Sequence, residues 1–413
     1  MKFSEYNIAR EIKDSLEELG FKRPTDIQYK AIPSILKSED VLAIAQTGTG
    51  KTAAFAIPVI NLLFTRKKFD DTPGIRCVVM VPTHELAIQI SEVFTKIGKY
   101  TDVRTLGVFG GVDQAPQIQA LKEGVDIIIA TPGRLFDLVS QRHIKLRALE
   151  ILILDEADHM LDMGFYKDIK ELTTYIPEKR QTLFFSATIN EKIKDLAYSL
   201  VKNAIRIQVS PKDPVSKNVD HAVMFVAMDD KRFFLERLVN EHPDTKVLVF
   251  VRTKVRAERV MAAMERVGIK AITMHSGKDQ QDRLEIMEKF RTGEIKLLIA
   301  TDVSARGIDI AGVNYVINYD LPDEAENYVH RVGRTGRGTA KGHAVSFCSE
   351  EEKPILKEIE NYLSKPVRVI EVKKEDYSQT LLHTEDTTDN WKLLLREAAQ
   401  LDKTKPKKKN KKK

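Results

Sequence analysis

Gly48, Gly50, Lys51 and Thr52 fall close together in the stretch LAIAQTGTGKT, Leu42 to Thr52. Two glycines let a backbone approach phosphate oxygens, and successive N–H groups ahead of the helical pattern KTAAFAIPVINLLF supply positive potential. Lys51 can reach the β- and γ-phosphates of a nucleotide, and the Thr52 hydroxyl suits Mg²⁺. The common phosphate-loop pattern, G-x-x-x-x-G-K-[ST], starts on glycine, whereas Ala45 stands there in this chain. The loop works with Ala45 provided that position keeps a negative φ. The other reading is a glycine-rich turn with no ligand.

Two further clusters suit the same chemistry. In LEILILDEADHML, Asp155 ends a buried strand with Glu156 beside it. Mg²⁺ takes one or two carboxylates plus waters and phosphates, which fits Asp155. Glu156 could orient and deprotonate an attacking water. The plain alternative is an acid-rich helix N-terminus. With no other His or Cys at ligand spacing, His159 reads as a solvated or hydrogen-bonding histidine rather than a metal ligand. In YVHRVGRTGRG, Arg331, Arg334 and Arg337 recur every third residue with Gly333, Gly336 and Gly338 between them. Arginines on a helix are ordinarily solvated, but glycine weakens a helix and permits close approach. Projected from one domain towards a γ-phosphate held by another, they would act as fingers and make hydrolysis depend on closure.

These clusters need elements to position them. Short β-branched runs alternate with helical patterns, which predicts parallel sheets wrapped by helices. The strand candidates are DVLAIA, RCVVMV, TLGVF, VDIIIA, LEILIL and TLFFS, then KVLVFV, AITMH, KLLIA, NYVINY and HAVSF. Between the two sets, SPKDPVSKNVD (Ser210 to Asp220) has two prolines and little apolar content, and reads as an interdomain linker. Nearly every strand candidate runs into small or polar residues: QTGTGKT, PTHELA, GG, TPGR, DEAD and AT, then RT, SG and TDVSARGID. Ligands of open parallel sheets bind outside the carboxyl ends of the strands, so one edge of each sheet is chemically equipped.

At 413 residues the chain exceeds one core. Its 42% hydrophobic and 31% charged composition is that of a soluble globular protein, and no apolar run approaches a membrane span. The start MKFSEYNIAREIKDSLEELG reads neither as a signal peptide nor as a good transit peptide. Cys77 and Cys348 lie in separate apolar runs, which predicts buried thiols and a reducing compartment. The net charge of +6 is uneven. Eight lysines in Lys403 to Lys413, with no acid among them, leave the rest of the chain at −2. That asymmetry points to a polyanionic partner.

Together these motifs resemble, in order and over about residues 1 to 370, the DEAD-box RNA helicases of superfamily 2. The bacterial RhlE-like group, with a minimal core and basic tail, is the nearest neighbour by this resemblance. The fold it implies is α/β: two tandem RecA-like domains, each a parallel sheet flanked by helices. They would cover 1–209 and 221–372, joined by the linker 210–220. An extension at 373–402 and a disordered lysine tail at 403–413 would follow. The cofactors implied are ATP and Mg²⁺. By resemblance, GFKRPTDIQ is the adenine-recognising Q motif, with Phe21 stacking on adenine, Gln28 bonding its edge, and Phe3 as the isolated upstream aromatic. Gln46, Thr47, Gly48, Thr49, Gly50, Lys51 and Thr52 form motif I, whose usual form in the family carries alanine at the Ala45 position. DEAD is motif II, with Thr52 and Asp155 at the metal. Ser186, Ala187 and Thr188 are motif III and, with His330, couple the nucleotide site to RNA. Asp309 resembles the ribose contact, and Arg334 and Arg337 the arginine fingers.

The RNA contacts implied fall on PTHELA, with Pro82, Thr83 and His84 singled out, then Gly110, Gly111, Thr131, Pro132, Gly133, Arg134, Arg252, Thr253, Gln280, Arg283, Thr301 and Asp302. His84 departs from the family's usual arginine, so a charge-assisted contact becomes weaker there. Few of these residues are aromatic or strongly basic, which suits backbone grip rather than base reading. The implied partner is RNA, duplex and single-stranded, in ribonucleoprotein or ribosomal precursor particles. A cytoplasmic monomer that closes on ATP and RNA, bends one strand and releases it after hydrolysis is expected.

The tail LDKTKPKKKNKKK follows a plausible amphipathic helix bearing Trp391, Leu394, Leu395, Ala398 and Leu401. It reads as an RNA tether, a nuclear localisation signal or a solvated end. Three functions stay open: an RNA-dependent ATPase that unwinds short duplexes, an ATP-gated RNA clamp with little turnover, and a DNA-directed ATPase of the same superfamily.

Overall fold

The computed structural model describes residues 2–46, 48–67, 74–209, 215–305, 312–336 and 340–382. Two seven-stranded sheets form two lobes. In the first, β1 (Val41–Ala45), β2 (Cys77–Met80), β3 (Thr105–Val108), β4 (Ile127–Ala130), β5 (Ile151–Leu154), β6 (Gln181–Ser186) and β7 (Ile205–Val209) lie in the order β3-β4-β2-β5-β6-β1-β7. In the second, β8 (Val219–Phe225), β9 (Val247–Phe250), β10 (Ala271–Met274), β11 (Leu297–Ala300), β12 (Tyr315–Asn318), β13 (Gly342–Cys348) and β14 (Arg368–Ile370) lie in the order β10-β11-β9-β12-β13-β8-β14. All the pairings are parallel. Parallel sheets need crossovers on both faces, which explains why β2, β4, β5, β9 and β11 are apolar and buried throughout. Each lobe accordingly has two apolar clusters. Cys77 and Cys348 are free, buried thiols.

All eleven apolar runs are strands. Three strands carried no such run. In β7 most side chains are exposed, β14 has three residues, and β8 starts inside the segment read as linker. Val215 in that segment is 3% exposed and packs in the second lobe's core, so its apolar residues belong to a domain rather than to a spacer. Among the described residues no helix is long and apolar enough to cross a membrane.

Strand order sorts the chemistry. In the first sheet β5, β6 and β1 are neighbours, so DEAD, SAT and QTGTGKT emerge side by side. The other half, β3-β4-β2, carries GG, TPGR and PTHELA. The second sheet divides likewise. β10, β11 and β9 end in HSG, TD and RT, whereas β12 leads through a short loop to the helix Ala325–Val332, which bears His330 and Arg331. One half of each sheet edge therefore carries the motifs read above as nucleotide-binding and the other half the remaining small and polar ends.

A buried ion pair holds the segment between β12 and that helix in place. Lys231, 0% exposed, donates to Tyr319 O at 2.7 Å and to Glu352 Oε2 at 2.5 Å. Glu352 also accepts from Leu321 N, just after β12. Burial lowers the Lys231 pKa; burial raises that of Glu352, but Lys231 outweighs this and the net shift is downward. Replacing Lys231→Met removes the fully buried partner of Glu352 and leaves only the half-exposed Arg252, 3.5 Å away, to offset its charge, at a cost of about 3 kcal/mol to the second lobe. Urea unfolding followed by probes of each lobe checks this, and a second-lobe loss below about 1 kcal/mol contradicts it. The described part of the extension, a helix at Lys374–Leu382, docks through Tyr377, whose hydroxyl donates to Asp230 Oδ2 at 2.7 Å while its ring packs on Phe234.

Candidate active site

β1 hands over to the helix Lys51–Lys67 through a loop that Gln28 fixes in place. Gln28 Oε1 accepts from Thr25 N at 2.9 Å, and Nε2 donates to Gly50 O at 3.1 Å. Gly50 has φ +91°, which favours glycine, and a Cβ there would lie 2.5 Å from Gln28 Nε2 and displace the amide that bonds Gly50 O. Thr49 Oγ1 donates to Gln46 O at 2.7 Å and tightens the turn. Lys51 is 6% exposed, yet its Nζ has no hydrogen-bond partner among the described residues. A buried ammonium without a partner is costly, and a phosphate oxygen would satisfy it. The residues present thus fit a nucleotide triphosphate. Phe21 meets buried Phe3 edge-on at 5.6 Å at the mouth of this lobe.

Asp155 and Glu156 follow β5 and are both buried. Burial pushes Asp155 up to about 6, against the pull of Lys51 and with help from the Glu156 charge. Burial also pushes Glu156 upwards, but His159, Lys51 and Arg334 outweigh it and hold its carboxyl well below the usual range. Glu156 stands at φ 52°, ψ 48°, a left-handed conformation uncommon for a residue with a side chain. Asp158, to which no separate role was given, is the tie to motif III. Its Oδ2 accepts from Ala187 N at 2.9 Å and Thr188 N at 3.1 Å. Ser186 is fully buried with an unpartnered hydroxyl among the described residues. His159 is not solvated: it is buried and hydrogen-bonded, with Nδ1 3.0 Å from Glu156 Oε2.

The second lobe faces this site. Arg334 is 4% exposed, its Nε donates to His330 O at 3.2 Å, and its charge reaches Glu156. His330 Nδ1 lies 3.3 Å from His159 Nε2. Arg331 does not point at the site with Arg334. It pairs with both carboxylate oxygens of Asp302, at 2.5 and 2.6 Å, and donates to Asp320 O at 2.7 Å. Its spacing in sequence matched the other arginines, but its side chain is spent inside the lobe. Thr47, Asp309 and Arg337 lie outside the described residues, as does the lysine tail.

The remaining strand ends also face one another. Thr83 caps the helix His84–Ile97 by accepting from Leu86 N at 3.3 Å. Thr131 precedes the helix Pro132–Ser140, in which Gly133 is exposed. Arg134 Nη2 donates to Val112 O at 2.9 Å, while its buried Nη1 has no partner among the described residues. Thr253 caps the helix Lys254–Arg266, and Arg252 pairs with Asp323 at 3.2 Å. Thr301 Oγ1 donates to Ser304 Oγ at 3.3 Å. Several residues read as RNA contacts also join the lobes. His84 Nδ1 donates to Gln280 Oε1 at 2.9 Å, and Arg283 Nε donates to Glu85 Oε1 at 2.7 Å. Gly111 lies so close to the other lobe that a Cβ would meet Gln280 Cβ at 2.7 Å. Glu85 was inside PTHELA but had been given no role of its own. An acidic residue in a strip meant for a polyanion was the available signal.

The DEAD/DEAH box helicase profile matches residues 25–196, and the helicase conserved C-terminal domain matches residues 230–339. The chain is 39% identical over 372 residues to an ATP-dependent RNA helicase RhlB from Shewanella amazonensis, covering 89% of this chain and 85% of that one. The chain belongs to the DEAD-box helicase family. It is an ATP-hydrolysing enzyme with the family's two-lobe α/β fold. A DEAD-box ATP-dependent RNA helicase CshA from Bacillus cereus is 40% identical over 87% of this chain and 67% of its own length. These relatives establish the family and not the RhlE-like subgroup. Among solved structures, S. cerevisiae Dbp5 bound to RNA and ADP BeF3 superposes with a TM-score of 0.82 at 29% identity, covering 92% of this chain and 97% of that one. A variant of Dbp5 bound to Nup159, Gle1, IP6 and ADP superposes at 0.65 and 27% identity, covering 92% and 99%. The chain as a whole superposes better on the RNA-bound form of Dbp5 than on that assembly.

Proposed function

We propose that this DEAD-box protein is an RNA-stimulated ATPase whose lobes, taken as residues 1–209 and 221–372, close on ATP and RNA together. Closure would bend one strand, release a short duplex locally and remodel RNA or ribonucleoprotein particles such as ribosomal precursors. The observation that carries this reading is the division of both sheet edges. The motifs read as nucleotide-binding lie at β5-β6-β1 opposite Arg334, and the motifs that resemble RNA contacts lie at β3-β4-β2 opposite β10-β11-β9. The higher superposition on RNA-bound Dbp5 supports closure as the active arrangement. The protein is read as a monomer acting in the cytoplasm.

In this reading Gln46, Thr47, Gly48, Thr49 and Gly50 cradle the phosphates, Phe21 and Gln28 hold adenine, and Asp309 meets the ribose. Lys51 and Thr52 on one side and Asp155 on the other would hold ATP and Mg²⁺. The chemistry Mg²⁺ would supply when held by Thr52 and Asp155 is neutralisation of the charge that develops on the transferred phosphate. Glu156, kept ionised by its neighbours, orients the attacking water. Lys51, Arg334 and Arg337 stabilise charge spread over the transferred phosphoryl oxygens. Asp158 passes any shift of this site to Ala187 and Thr188 through its two amide contacts.

The Glu85–Arg283 pair bears on closure directly. With side chains 5% and 14% exposed, it is a shielded charge pair between lobes. Glu85→Ala leaves Arg283 uncompensated in the closed form, at a cost of about 2–5 kcal/mol. RNA affinity in the presence of a non-hydrolysable ATP analogue should fall about 30-fold or more, with affinity for the nucleotide alone little changed. Unchanged RNA affinity would remove the pair from closure. The reading as a whole is tested by strand release from a short RNA duplex. Release with ATP but not ADP, and failing as the duplex lengthens, is expected. ATP hydrolysis with tight RNA retention and no strand release would replace it with a clamp.

A further inference from the structure

His159 has no part in the reaction as described, yet it is 2% exposed and both its ring nitrogens are engaged. Nδ1 meets Glu156 Oε2 at 3.0 Å in the first lobe, and Nε2 meets His330 Nδ1 at 3.3 Å in the second. The two imidazoles cross edge to face, with centroids 5.0 Å apart and planes at 84°. We propose that His159 is a positioning residue that orients the Glu156 carboxylate when His330 docks on it, so that closure is transmitted to the water-orienting group through one side chain. This rests on the reading that lobe closure accompanies hydrolysis.

The hydrogen-bond polarity supports it. A carboxylate only accepts, so the proton between His159 and Glu156 sits on Nδ1. Nε2 is then the atom left for the other lobe. Burial in the cleft pushes the His330 pKa down, which favours the neutral ring, whose Nδ1–H can donate to a neutral His159 at Nε2. If His159 is itself charged, its Nε2–H donates to His330 Nδ1 instead. In both states one hydrogen bond crosses the cleft and a second fixes Glu156 Oε2.

A loose phosphoryl-transfer transition state demands little proton abstraction from Glu156 and much positioning of it. Its left-handed backbone sets it apart from the helix that follows, and His159, three residues on, is the side chain that grips it. Arg334 Nε is bonded to His330 O. Docking of His330 therefore delivers Arg334 and aligns Glu156 in one event.

The test is a double-mutant cycle on ATP turnover in the full chain, with His159→Ala, His330→Ala and both together. His159→Ala should lower kcat at saturating single-stranded RNA about 10- to 100-fold, with KM for ATP changed less than about three-fold. The double variant should lose less than the product of the single losses, by about three-fold or more. His159→Asn retains a donor near Glu156 without reach to His330, so the ratio of RNA-stimulated to RNA-free turnover should fall in it. Single losses that multiply, an effect confined to KM, or an undiminished ratio in His159→Asn would each overturn the assignment. If His159→Ala does not fold, the same cycle with His159→Asn carries the comparison. If the wild-type enzyme is not stimulated by RNA, the functional reading fails. The cycle is then read on RNA-free turnover, where multiplicative losses still overturn the role of His159.

Discussion

Arg334→Ala is expected to lower maximal ATP turnover by about 10³-fold or more while nucleotide still binds. Arg334 is buried in the cleft, bonded to the His330 carbonyl, and close enough to depress Glu156 across the lobe boundary. Its guanidinium thus faces the first-lobe site from the other lobe. An arginine supplied in this way stabilises transition-state charge on the phosphoryl oxygens, which is where phosphoryl transfer gains most. Arg334→Lys should recover little, because a point charge on a flexible stem does not reproduce the planar fork. The check is kcat at saturating ATP and RNA. A loss below about ten-fold would show that Arg334 is structural, like Arg331.

Glu156→Gln is expected to reduce kcat by about 10²- to 10⁴-fold and to leave a long-lived complex with ATP and RNA. The amide preserves volume, and its carbonyl can still accept from His159 Nδ1, so the left-handed turn and the cleft contacts have no reason to change. What is lost is the anionic oxygen that orients water. Single-turnover hydrolysis and the dissociation rate of labelled RNA measure the two effects. Rapid turnover would move the water-orienting role elsewhere, and rapid RNA loss would show that the variant no longer closes.

The chemistry of this protein was readable because it is local. QTGTGKT, DEAD, SAT and the glycine-separated arginines each announce themselves within a few residues, and each directly follows a strand or the helix after one. Eleven strands had runs of apolar residues because parallel strands are buried on both faces. Strands β7, β8 and β14 did not, since they are at or next to the outer edge of their sheets, and two of the three are mostly exposed. Strand order was not readable at all. Nothing in the sequence says that β6 lies between β5 and β1, yet that order brings the nucleotide motifs together. Partnerships across the cleft were equally hidden. Glu85 and Arg283 are 198 residues apart, and His159 and His330 are 171 apart. A residue's type and neighbours suggested a site for Gln280, Arg283 and Arg331. Which charge each one meets decided what it does, and that is settled only by tertiary packing.

The account stands most directly on steady-state ATP hydrolysis measured with no nucleic acid, with single-stranded RNA, and with DNA of the same sequence. Coupling of hydrolysis to closure on RNA predicts low turnover alone, strong stimulation by RNA and little by DNA. Equal turnover in all three conditions would contradict it, because the site would then be complete without the cleft being closed by RNA.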